Sequence, residues 1–185
     1  MLRKMRGFTL IEMLIVVAII GILAALLIPN AMSALQKAKQ KGTMKDINTI
    51  ATAMMEYVTD KGKAPTTANG ELAANDTTVQ ALQGFYVKIL PIRDQWGNPF
   101  YLYGGTNCSE NDWGIELPSG QDDYGADEFM VGSNGRNGET GDVEWNNTDL
   151  SLNLYEVNSM NDFNKEIVNW NGNLVIGPRT AAGTT

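Results

Sequence analysis

One carboxylate stands inside an apolar run near the start of this sequence: Glu12, set among Phe8, Leu10, Ile11 and Met13. A charge at such depth in a bilayer costs roughly 2.5–3.5 kcal/mol, so it calls for a cationic partner. No Lys or Arg occurs between Gly7 and Lys37. The partner must therefore come from the basic head, from another chain or from a new N-terminal amine. A second constellation is Asp94-x-Trp96-Gly97-Asn98-Pro99. Gly97, Asn98 and Pro99 suit a turn, Trp96 offers a large apolar anchor, and Asp94 can accept hydrogen bonds from turn amides. A generic hairpin turn with a buried tryptophan reads the same way. A third is the stretch 132–142, GSNGRNGETGD, which crowds oxygen donors among glycines. Calcium takes hard oxygens of this kind, including backbone carbonyls. The spacing lacks the acidic start and final Glu of an EF-hand, and a solvated acidic loop is the plain alternative.

Other chemistry is excluded. The chain has no histidine, which removes imidazole acid–base catalysis, His-ligated zinc and Ser-His or Cys-His nucleophile pairs. Its one cysteine, Cys108, cannot close an intrachain disulfide and has no evident catalytic base. A net charge of -7 argues against nucleic acid as a partner.

The elements that would position these groups can be read from the patterning of the 185 residues. Residues 1–7 carry three basic groups and no acid, whereas residues 64–185 carry 5 basic and 17 acidic side chains. Between them, residues 13–28 have no polar side chain. The hydrophobic helix is placed at 8–29, and its apolar part, 8–28, spans about 31 Å, one hydrocarbon thickness, with its basic flank on the cytoplasmic side. Gly21 and Pro29 weaken that helix from within. From 30 to 62 the pattern becomes amphipathic: Ile47, Ile50, Met54, Tyr57 and Val58 recur at helical spacing, and Lys37, Lys39, Lys41 and Lys45 occupy a solvated face. Gly62 and Pro65 mark the stop. The rest, 63–185, is loop-rich. A short helix and then a strand are predicted over 79–90. Strands are predicted at 100–103, 128–131, along the alternating Leu150, Leu152 and Leu154, and at 174–176. The fold class is α+β: a long N-terminal helix on a small antiparallel sheet.

Gly7-Phe8-Thr9-Leu10-Ile11-Glu12 after a short basic leader resembles the class III signal of type IV pilins and type II secretion pseudopilins. The resemblance implies that prepilin peptidase removes residues 1–7 by cutting between Gly7 and Phe8, and that Phe8 is then N-methylated. It also implies that Glu12 meets the Phe8 amine of a neighbouring subunit on assembly, and that helix bonds between Gly21 and Pro29 loosen in the filament. A simple membrane anchor with a stray Glu is the plain alternative. Residues 37–67 and 86–103, with the Asp94-to-Pro99 signature, narrow the resemblance to the major pseudopilin of type II secretion.

In that family the loop near 132–142 binds calcium through acidic side chains and carbonyls, which implies Val131, Asn134, Glu139 and Asp142 as ligands here. Asn134 stands where an aspartate is expected. The chain also departs by an extension from about 146, whose Trp170, Tyr155 and Phe163 give it surface to pack. The implied function is a structural subunit, not an enzyme. It would be a single-pass precursor in a bacterial inner membrane that polymerises with itself into a periplasmic pseudopilus. Partners would be the inner-membrane assembly platform and minor pseudopilins. The rival is a type IV pilus subunit with a cell-surface filament. An enzyme using Asp122, Asp123 or Asp127 is a remote third, because nothing pairs those groups.

Overall fold

The computed structural model describes residues 7–117, 120–121 and 123–179. The leader positions 1–6 and Asp122 lie outside the described residues. Helix α1 runs Leu10–Lys61, 52 residues, and continues through both Gly21 and Pro29. It ends where Gly62 adopts a left-handed conformation (φ 71°) and its N–H donates to the Val58 carbonyl at 2.7 Å. Glycine accepts that geometry without steric cost and satisfies an orphan carbonyl, so the stop lies where the punctuation predicts it.

The chain divides into two units between Lys37 and Ala38. In the first, the large apolar side chains are exposed, from Phe8 just ahead of α1 (79% exposed) to Ile28 within it. In the second, Ile47, Ile50, Ala51 and Met54 are wholly or almost wholly buried. Their spacing places them on one helical face, and each large side chain contributes about 1.5–3 kcal/mol by leaving water. Tyr57 and Val58 pack at the edge of the same core.

That face covers a six-stranded sheet: β1 (Asn69–Glu71), β2 (Tyr101–Gly104), β3 (Phe129–Ser133), β4 (Leu154–Tyr155), β5 (Ile167–Trp170) and β6 (Asn173–Pro178). The spatial order is β1-β2-β3-β5-β6-β4. All pairings are antiparallel except β4 with β6, which is parallel, so the sheet is mixed. Alternate side chains serve opposite faces. Leu102, Val131 and Ile167 join the core under α1, with Phe100 and Leu82. Tyr103, Met130 and Val168 build a second core with Cys108, Trp113 and Ile176. Burial on both faces explains why β3 shows no polar alternation.

Three local expectations need correction. Residues 79–90 yield a short helix α2 (Thr77–Leu82) but no strand; beyond it lies only an isolated bridge between Gln83 and Val87. Of the alternating leucines only Leu154 enters a strand, the short β4. Leu150–Asn153 is a 3-10 turn capped by Asp149, whose side chain accepts from Ser151 N–H, and Leu150 and Leu152 are exposed. The capping bond favours the turn over an extended ladder. Finally, the small sheet is antiparallel as expected except at one pairing, where the chain returns beside β6 in the parallel sense.

Candidate functional site

Gly7 and Phe8 precede α1 and are exposed, and a side chain at Gly7 would meet nothing within 4 Å. Thr9 is the N-cap. Its N–H and hydroxyl both donate to Glu12 Oε2 at 2.8 Å, and Glu12 N–H donates to Thr9 Oγ1 at 3.3 Å. This is a reciprocal capping box, which the Thr-x-x-Glu spacing announces. Among the described residues the carboxylate thus has a local polar partner and no ion pair. The helix bearing it is long and apolar enough to cross a membrane, and its apolar stretch is exposed.

At the other site, Asp94 is buried and fully engaged. Its Oδ1 accepts from the N–H groups of Trp96 (2.9 Å), Gly97 (2.8 Å) and Asn98 (2.9 Å), and its Oδ2 accepts from Ser133 Oγ (2.7 Å). Burial pushes the carboxyl up from its ordinary range while these bonds hold it back. Gly97 takes a φ of 100°, as the turn requires, and Pro99 closes the signature two residues on. Trp96 is only half-buried; the wholly buried anchor of this turn is Phe100. Gln95 docks the turn onto α1, its N–H donating to Thr43 Oγ1 and its amide to Asp46. Asn98 reaches across to the loop, its side-chain amide donating to the carbonyls of Gly135 (2.7 Å) and Arg136 (3.3 Å).

The loop after β3 is therefore held from one side by the Asp94 turn. From the other side it is held by the segment before β5. Arg136 N–H donates to the Phe163 carbonyl and its Nε to Asn164 Oδ1. Glu166 accepts on Oε1 from the N–H groups of Gly141 and Asp142. Glu166 is 1% exposed, and its Oε2 has no hydrogen-bond partner. Burial raises its carboxyl, and the Asp142 charge raises it further.

The four calcium candidates are disposed unevenly. Val131 lies within β3, opposite Leu102 and Asn169. Asn134 is buried, and its Oδ1 accepts from Trp113 Nε1 at 2.9 Å. Glu139 is exposed, and Asp142 Oδ2 accepts from Asn137 Nδ2 at 2.8 Å. Among the described residues no three His, Cys, Asp or Glu side chains gather to hold a metal. The orphaned, buried Glu166 oxygen beside Asp142 nevertheless suits a cation that takes its remaining oxygens from loop carbonyls.

Residues 30–151 match the family described as Type II secretion system (T2SS), protein G, and residues 2–28 match the prokaryotic N-terminal methylation motif. The chain belongs to the type II secretion system protein G family. It is similar to type II secretion system core protein G of Aeromonas hydrophila, 35% identical over 130 residues, or 65% of this chain and 90% of the relative. The Dickeya chrysanthemi protein of the same name is 32% identical over 145 residues, 73% and 93% of the two chains. That of Pseudomonas aeruginosa is 41% identical over 111 residues, 56% and 78%. No solved structure gives a significant match.

The region matching the protein G family ends at residue 151, and β4, β5 and β6 all lie beyond it. Within the sheet, β5 pairs directly with β3. The extension is therefore part of the sheet rather than an appendage. Two functional groups escape a reading of local composition. Thr9 is legible only as the first residue of a capping box. Glu166 carries no local signal, because its partners lie 24 and 25 residues away in sequence. Of the remote enzymatic carboxylates, Asp123 and Asp127 are exposed.

Proposed function

We propose that this chain is the major subunit of a type II secretion pseudopilus, a filament that drives export of folded proteins across the outer membrane. The observation that carries this reading is the protein G match over 30–151 placed directly behind the methylation motif and an exposed apolar helix. Family membership supports secretion over a type IV pilus. In this account the precursor sits in the inner membrane with its basic leader inside. Prepilin peptidase cuts between Gly7 and Phe8, and Phe8 is N-methylated. Subunits then enter the filament through α1 at an inner-membrane assembly platform, alongside minor pseudopilins. Glu12 exchanges its local cap for the Phe8 amine of a neighbour. Desolvation of that pair inside a helical bundle makes its integrity matter far more than at a surface.

The proposal includes a calcium ion at the 132–142 loop. The loop's carbonyls and Asp142 supply hard oxygens, and the ion would lock the loop between the Asp94 turn and the segment before β5. Deletion of the coding sequence tests the main claim. Exported proteins should accumulate in the periplasm and return to the medium on complementation. Normal export in the deletion strain would exclude the secretion role.

A further inference from the structure

Glu166 is a buried carboxylate with half of its hydrogen-bonding capacity unmet. One oxygen accepts from two loop amides; the other, in a residue 1% exposed, meets no donor. The nearby cations are committed elsewhere. Lys165 pairs with Asp162 at 2.8 Å, the ion pair found among the described residues, and Arg136 Nε donates to Asn164. Asp142 adds a second negative charge beside Glu166. A desolvated carboxylate with a second negative charge near it, and with no cation paired to it among the described residues, is a costly arrangement. A divalent cation would offset both charges.

One residue that the resemblance puts forward as a ligand is not free to serve. Asn134 is neutral, and its side-chain oxygen is taken by Trp113. We propose that Glu166 replaces it, binding the divalent cation of the 132–142 loop together with Asp142 and loop carbonyls. The ligand comes from beyond the family-matched residues 30–151, so the extension that inserts β5 beside β3 also completes the ion site. A negative charge absent from the loop is restored from the next segment, which keeps the site attractive to calcium over a neutral donor set. This inference rests on the calcium reading given above.

The test uses the full-length chain in detergent micelles, titrated calorimetrically with calcium chloride and melted in calcium or in chelator. The variants are Glu166→Gln and Asp142→Asn. The glutamine retains an oxygen for the Gly141 and Asp142 amides while removing the charge. In chelator, Glu166→Gln should melt at or above the wild-type temperature, because the repulsion with Asp142 is gone. In calcium it should melt below wild type, with affinity reduced about tenfold or more. That crossing would not arise from a merely structural strut. If Glu166→Gln binds calcium as wild type does while Asp142→Asn does not, the ion is held by the loop alone and the Glu166 proposal fails. Equal destabilisation in both conditions would also overturn it, leaving Glu166 a strut. Wild-type melting identical in calcium and chelator would remove the ion, and both readings with it.

Discussion

Thr9 and Glu12 cap the first turn of α1 reciprocally, the Thr9 N–H meeting the carboxylate at 2.8 Å and the Glu12 N–H meeting the threonine oxygen at 3.3 Å. The exposed, unassembled helix thus stores its carboxylate in a neutral cap. Cleavage between Gly7 and Phe8 would create a free amine one residue ahead of that cap. In the proposed assembly the oxygen that caps the start of the helix would accept that cation instead.

The first prediction concerns that cleavage. Mature protein should begin at N-methylated Phe8 by mass spectrometry, and Gly7→Trp should leave the leader attached. The open space around Gly7 means such a block would reflect the peptidase's requirement rather than a misfolded substrate. A mature chain beginning at Met1 would remove the processing account.

Asp94 ties three turn amides to Ser133. Asp94→Ala strands all four donors and should cost about 3 kcal/mol, whereas Ser133→Ala loses one bond and should cost about 1 kcal/mol. Denaturant melts of the two variants check the order. Equal losses would mean that the turn does not depend on the carboxylate.

Gly135 has a φ of 69°, and a Cβ there would collide with the Asn164 carbonyl. Backbone strain and collision together should make Gly135→Ala lose about 3 kcal/mol or more. A melting temperature unchanged by this substitution would contradict the close approach of the loop to the segment before β5.

Cys108 is wholly buried, and burial pushes its thiol up to about 12, with the Glu128 charge adding to the effect. Its reactive thiolate is therefore scarce at pH 8. A thiol-reactive disulfide reagent should label Cys108 only after denaturant is added. Rapid labelling of native protein would place Cys108 outside the second core.

Much of this architecture is legible in the residues, and the exceptions have physical causes. The periodicity of Ile47, Ile50 and Met54 and the stop at Gly62 specify α1, because one face must be buried and a left-handed residue must close it. The strand at 129–133 is readable from its β-branched and aromatic content. Leu150 and Leu152 mislead: alternation with Leu154 suggests one strand, but the Asp149 cap diverts the backbone into a 3-10 turn and leaves only Leu154 to start β4. β5 is missed because it is only four residues long and Ile167 and Val168, adjacent in sequence, are both buried, so apolar and polar residues do not alternate along it. At the site, Asp94 and its turn are evident from composition. Glu166 is not, since a tertiary approach between distant segments gives it its role.

The central claim is that the subunit assembles through a charge at Glu12, and Glu12→Gln tests it most directly. Glutamine preserves a capping box, so the helix start and membrane insertion should survive. Only the charge that a neighbour's Phe8 amine requires is removed. Leaving that amine unpaired inside a low-dielectric bundle should cost roughly 3–5 kcal/mol at every interface. Electron microscopy of sheared fibres should show abundant filaments from the wild type and essentially none from Glu12→Gln, although the variant is cleaved and membrane-inserted. Filaments of normal number and length from Glu12→Gln would show that the charge pair does not drive assembly.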